Sequence, residues 1–137
     1  MPIKEKPFFQ ETLLRLTAQA PAAIDSLGFR EFPSGHEDVL ENSVEIEPAA
    51  FGLNFRDVMV VLDQLDLSIM GLEYSGRITK VGSEGTKDFK VGDRVCGLLR
   101  GHWSNRVTID CDSIVHMPEG MDFETAASIS LVFGTTY

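Results

Sequence analysis

Four side chains able to ligate a metal, Cys96, His102, Cys111 and His116, fall within twenty-one residues, and thiolate with imidazole is a zinc donor set. Their spacings are looser than those of a zinc knuckle. Both cysteines also sit among apolar neighbours in strand-like segments, where a free thiol packs as a small hydrophobe. No metal is therefore expected at these four residues. Tyr74 offers an acidic hydroxyl beside Glu73, although a tyrosine in a strand more commonly serves packing. Arg56, Asp57 and Glu73 can form an ion-pair network whose first use would be structural. Asn54 stands directly before an apolar-periodic stretch, the position of a helix N-cap. His36, in the polar segment Phe32-Pro33-Ser34-Gly35-His36-Glu37-Asp38, reads as a solvated loop residue. No Gly-x-Gly-x-x-Gly follows a strand-like segment, so a pyrophosphate-binding turn of that kind is not written in these residues.

The elements that must position these side chains are mostly strands. β-prone segments run over Thr12–Thr17, Leu27–Phe32, Ser43–Pro48, Leu72–Val81, Arg94–Leu99 and Ser113–Met117. Val44-Glu45-Ile46-Glu47 alternates apolar and acidic residues, which puts the valine and isoleucine on a buried face and the glutamates on a wetter one. Gly82, Gly85, Gly92, Gly97 and Gly101 recur between strands, as a curved sheet closing into a small barrel requires. Two helices interrupt the pattern. Over Asn54–Leu65, residues Phe55, Val58, Met59, Leu62 and Leu65 recur at three and four positions and form one apolar stripe. The second helix runs from Asp122 to about Val132, with Asp122 as N-cap and Thr125 where a capping box would place glutamate.

The bulk properties are those of one globular domain: 137 residues, 43% apolar. A net charge of −9 repels phosphate backbones and anionic membranes, and the basic residues form no run, so neither nucleic acid nor a membrane surface is an expected partner. The N-terminus lacks the apolar core of a signal peptide, and no apolar run reaches the roughly 18 residues of a membrane span. Two cysteines fit a reducing compartment, and the expectation is a soluble cytoplasmic protein.

Three glycine-punctuated motifs carry a resemblance. Gly52-Leu53-Asn54-Phe55-Arg56-Asp57, Gly71-Leu72-Glu73-Tyr74-Ser75-Gly76 and Val91-Gly92-Asp93-Arg94-Val95, in that order, resemble the substrate-side barrel of the medium-chain dehydrogenase/reductase superfamily. The wording Gly-Leu-Asn-Phe-Arg-Asp-Val-Met is similar to the enoyl reductase domain of reducing polyketide synthases. Leu14-Arg15-Leu16 and Ala23-Ile24-Asp25-Ser26-Leu27 resemble that version's opening strands, and Glu124-Thr125-Ala126-Ala127-Ser128-Ile129 resembles the helix leading to the cofactor domain.

The resemblance implies a mainly β fold, a GroES-like, partly open β-barrel with two short helices. Residues 1–121 would form the barrel and residues 122–137 the start of a helix leading toward a nucleotide-binding domain absent from these residues. It implies reduction of the α,β double bond of an acyl thioester held on an acyl carrier domain, with NADPH as hydride donor and the other synthase domains as partners. The preference for NADPH belongs to the family, since nothing in these residues selects the 2′-phosphate. Asn54 would lie beside the nicotinamide and Thr135 would reach its carboxamide. Zinc-dependent relatives ligate the metal at the positions held here by Asn54 and Leu72, and the four-cysteine lobe is missing, so a zinc-free branch is implied. Many relatives place a proton-donating tyrosine just after the first helix, where this chain has Gln64-Leu65-Asp66, which leaves the donor unassigned and Tyr74 as the nearest candidate. Two alternatives stay open: a stand-alone zinc-free quinone oxidoreductase, and a non-catalytic barrel serving as a structural element of a larger assembly.

Overall fold

A computed structural model of the chain describes residues 12–18, 20, 22–32, 39, 41–65, 71, 73–83, 88–98 and 103–129. The chain is mainly β, with a curled sheet and two short helices, as the alternation and glycine spacing led one to expect. Strands β1 (Leu13–Ala18) and β2 (Leu27–Phe32) form an antiparallel hairpin. The main sheet has five antiparallel strands in the order β6-β3-β4-β5-β7, built from β3 (Ser43–Phe51), β4 (Glu73–Val81), β5 (Arg94–Leu98), β6 (Val107–Asp110) and β7 (Ile114–His116). Helix α1 (Phe55–Val61) lies between β3 and β4, and α2 (Phe123–Ala127) follows β7. Among the described residues no helix is long and apolar enough to cross a membrane.

Strand alternation sorts the core. Val44, Ile46, Tyr74, Ile78, Val95, Val107, Cys111 and Ile114 pack into one buried cluster on the inner face. Cys96, Met117 and Ala126 form a second cluster beneath α2, flanked by Met121 and Phe123. Two register shifts in the β3–β4 ladder, between Glu45 and Ile46 and between Pro48 and Ala50, deepen the twist of the longest pair and curl the sheet. Tight approach matters as well: a Cβ at Gly76 would run into the Glu47 carbonyl oxygen and the Pro48 Cα of the facing strand.

The hairpin is tied to the sheet through residues 103–105. Leu16 N–H donates to the Trp103 carbonyl at 2.7 Å and Asn105 N–H to the Leu14 carbonyl at 3.1 Å, so this segment runs antiparallel beside β1 through an isolated bridge between Arg15 and Ser104. The buried Asn105 side chain completes the clasp, accepting from Leu14 N–H and donating to the Thr12 carbonyl, each at 2.9 Å.

Two expectations are revised. Strand β6 was not anticipated, because Val107-Thr108-Ile109-Asp110 is too short to stand out from its polar approach. Helix α1 is confined to Phe55–Val61; of its apolar stripe Phe55 is 76% and Val58 37% exposed while Met59, Leu62 and Leu65 are half-buried, and Asp57 is the residue the helix buries fully. Helix α2 is described over Phe123–Ala127, and the residues of its expected extension from 130 onward lie outside the described ones.

Gly76→Ala should destabilise the chain by about 1–3 kcal/mol, since the clash is with backbone that cannot swing aside. Gly28→Ala in β2, with nothing within 4 Å of the added methyl, should be neutral or stabilising by up to about 1 kcal/mol. Urea midpoints of the two variants test the contrast.

Candidate functional site

The site forms where β3 ends and β4 begins. Gly52 N–H donates to the Glu73 carbonyl at 3.1 Å, carrying the ladder one step past β3 before the chain turns into α1. Asn54 keeps extended dihedrals (φ −113°, ψ 158°) and is the N-cap, as the sequence position suggested. Its backbone N–H donates to Asp57 Oδ2 at 2.9 Å, the return half of a capping box. The other oxygen of Asp57 accepts from Gly71 N–H at 2.9 Å, and Gly71 holds a φ of 120°, which a side chain would resist. One buried carboxylate thus fixes both the entrance to α1 and the return toward β4.

Glu73, 1% exposed, supplies a second carboxylate, whose Oε1 accepts from Asn54 Nδ2 at 3.2 Å. Its side chain crosses above Gly52 so closely that a Cβ there would overlap it, with Glu73 Cδ at 2.6 Å. Asn54 is therefore held by its backbone through Asp57 and by its amide through Glu73, while the residue itself is only half-buried. Leu53 and Phe55 on either side are 70% and 76% exposed. A polar amide with one end anchored, bracketed by open apolar side chains, is suited to a flat ligand with hydrogen-bonding substituents.

Asp57 takes these backbone N–H groups in place of the guanidinium of its neighbour Arg56. Adjacent helical residues point in different directions, so the ion-pair network expected of Arg56, Asp57 and Glu73 does not form between the first two. Tyr74 follows Glu73 in β4 and therefore faces the opposite side, into the inner core, where it is fully buried. Among the described residues its hydroxyl has no hydrogen-bond partner, and burial, reinforced by Cys96 nearby, pushes the phenol pKa well above its ordinary value. A phenol so placed packs; it has neither the relay nor the acidity of a proton donor. Thr135, His102 and His36 lie outside the described residues. Cys96 and Cys111 are in different clusters, and burial raises both thiols. His116 stacks on Phe89 at 4.7 Å and donates through Nε2 to the Asp88 carbonyl at 2.7 Å.

On the face of β4 that carries Glu73, α2 is pinned. Ser75 Oγ donates to the Phe123 carbonyl at 2.5 Å, and the guanidinium groups of Arg94 and Arg77 lie 4.7 and 5.5 Å from the Phe123 ring. Arg94 also donates to the Met121 carbonyl. Asp122 caps the helix by accepting from Thr125 N–H at 2.6 Å, and hydrogen bonds from the Thr125 side chain and then its backbone hold the carboxyl below the usual aspartate range. The sequence pointed to Asn54 but not to Glu73 as its anchor. The available signal was the pairing of Gly52, two residues ahead of Asn54, with a glutamate in a strand that had to be buried.

Asp57→Asn should cost about 1–3 kcal/mol, because an NH2 group replaces one of two oxygens that both face N–H donors; urea unfolding measures it. Tyr74→Phe should leave stability at pH 7 unchanged or raised, since it deletes an unpartnered buried hydroxyl. The wild-type contribution of Tyr74 is full below about pH 10 and is lost as pH rises, because the unfolded chain releases a proton the folded one keeps. The variant should therefore lose less stability than wild type between pH 9 and about pH 11, as denaturant midpoints across that range would record.

Residues 40–123 match the family model "Alcohol dehydrogenase GroES-like domain", more than half of the chain. A highly reducing polyketide synthase of Aspergillus terreus (strain NIH 2624 / FGSC A1156) is 47% identical over 137 residues, covering 98% of this chain and 5% of the synthase. The CurK enoyl reductase superposes with a TM-score of 0.79 at 32% identity, over 91% of this chain and 41% of that one. The Escherichia coli quinone oxidoreductase complexed with NADPH gives 0.71 at 29% identity, over 84% and 36%. The chain thus spans only about 5% of the curated synthases it matches. On the family match, which spans more than half of the chain, the chain belongs to the alcohol dehydrogenase GroES-like domain family.

Proposed function

We propose that this chain forms the barrel portion of an NADPH-dependent enoyl reductase that saturates the α,β double bond of a carrier-bound acyl thioester within a reducing polyketide synthase. The observation that carries the reading is the Asn54 amide, anchored on Glu73 and bracketed by exposed Leu53 and Phe55. The apolar pair would form a wall for the nicotinamide ring and the acyl chain, and the amide complements the ring's carboxamide. NADPH, when bound, supplies the hydride. Its phosphates would be held by residues outside this chain, reached through α2 and residues 128–137, with Thr135 near the carboxamide. With Asn54 and Leu72 at the positions where zinc-dependent relatives ligate, enolate stabilisation would fall to hydrogen bonds and not to a metal. Tyr74 is excluded from our scheme as proton donor because its hydroxyl faces the core. Partners would be the acyl carrier domain and the neighbouring catalytic domains, in the cytoplasm.

A second reading, a zinc-free quinone oxidoreductase, draws on the 29% identity to the Escherichia coli enzyme. The two separate on substrate. In the intact polypeptide that carries these residues, NADPH oxidation should follow addition of a crotonyl thioester and not of a quinone; the reverse preference would establish the second reading. Absence of any NADPH binding would leave a structural barrel. Asn54→Ala should lower turnover with the thioester by roughly tenfold or more, the scale set by lost alignment, while Tyr74→Phe should leave it within about twofold.

A further inference from the structure

We infer that Glu73 is a positioning residue, whose buried carboxylate dictates which way round the Asn54 carboxamide faces. The inference rests on the corner being the nicotinamide wall, but its physical basis is independent of it. Glu73 is 1% exposed and its Oε1 receives the Asn54 Nδ2 hydrogen at 3.2 Å. An ionised carboxylate only accepts, whereas the two ends of an asparagine amide differ, one donating and one accepting. Turning the amide over would set its carbonyl oxygen against the carboxylate, so a single orientation survives. Asn54 Oδ1 then takes the other side, that of the Asp57 backbone N–H in the capping box, which leaves one Oδ1 lone pair and the second Nδ2 hydrogen for a ligand.

The surroundings leave the amide little other freedom. The backbone N–H of Asn54 is committed to Asp57 at 2.9 Å, which fixes where its side chain starts. Gly52 leaves room for the Glu73 side chain, which any Cβ at that position would displace. What the corner offers a ligand is therefore the remaining lone pair of a fixed acceptor beside a fixed donor, the complement of a primary carboxamide, which presents a donor beside an acceptor in return. Glutamine at position 73 would have the same shape but could donate as well as accept, and would let the amide adopt either orientation.

The test is Glu73→Gln, with the shortened Glu73→Asp as a second variant should the first fail to fold, each checked by its backbone amide spectrum. In wild type, one of the two Asn54 side-chain protons should exchange with solvent about 3- to 10-fold more slowly than the other, the range expected of one hydrogen bond. Either variant should abolish the difference. Asn54→Asp, which opposes two carboxylates, should weaken NADPH binding by the intact polypeptide by about tenfold, and adding Glu73→Gln should recover part of that loss because glutamine can donate to the new carboxylate. Equal exchange of the two protons in wild type, or unchanged exchange in a folded Glu73 variant, would overturn the positioning role whatever the NADPH data. Failure of wild type to bind NADPH, with the exchange difference present and lost in the variants, would leave the positioning role standing and remove the nicotinamide reading.

Discussion

A carboxylate buried among backbone N–H groups is the constraint on which this corner depends. Asp57 is 1% exposed, and an ionised group there is tolerable only because both oxygens are hydrogen-bonded, one by Asn54 N–H and the other by Gly71 N–H. The two donors lie on opposite sides of the α1 excursion, so the same side chain starts the helix and returns the chain to the sheet. Tertiary packing contributes little to α1 among the described residues, since Phe55 and Val58 face outward. A seven-residue helix of this kind has no stability of its own. Its geometry is imposed from its first turn, by one acid.

That arrangement explains why the sequence was informative about some features and silent on others. Alternation in Val44-Glu45-Ile46-Glu47 read correctly because a half-buried strand sorts side chains by face and by nothing else: Val44 and Ile46 are fully buried and the glutamates are not. The apolar periodicity of residues 55–65 revealed a helix but gave no sign of the aspartate it buries, because spacing records which residues share a face and not what covers it. A buried aspartate on the opposite face cannot be inferred from hydropathy, since burial of a charge depends on donors that folding brings from Gly71. Tyr74 carried the opposite ambiguity, and one residue of strand register decided it: Glu73 lies with Asn54, and Tyr74 lies in the core.

The curl of the sheet has an equally local origin. The glycines between strands suggested tight turns, and Gly92 with its φ of 93° is one. The bending, however, is written within the strands, in the two register shifts between β3 and β4 and in Gly76, where the facing strand approaches too closely for a side chain. Neither shift has a sequence signature, because a bulge is a property of a pair of strands and the partner lies 25 to 35 residues away in the chain.

Strand β4 also works as a ruler. Alternate residues on one face each hold a different part of the molecule: Glu73 the Asn54 amide, Ser75 the Phe123 carbonyl, Arg77 the Phe123 ring. Each step between them is two strand residues, roughly 6.6 Å, so the separation between the candidate site and the root of α2 is counted out in peptide units. Within this stretch the chain can exchange side chains but cannot change length. One inserted or deleted residue would send the downstream anchors to the other face and break the link between site and helix in a single event. Homologous strands should therefore drift in composition while their residue count across this interval stays frozen.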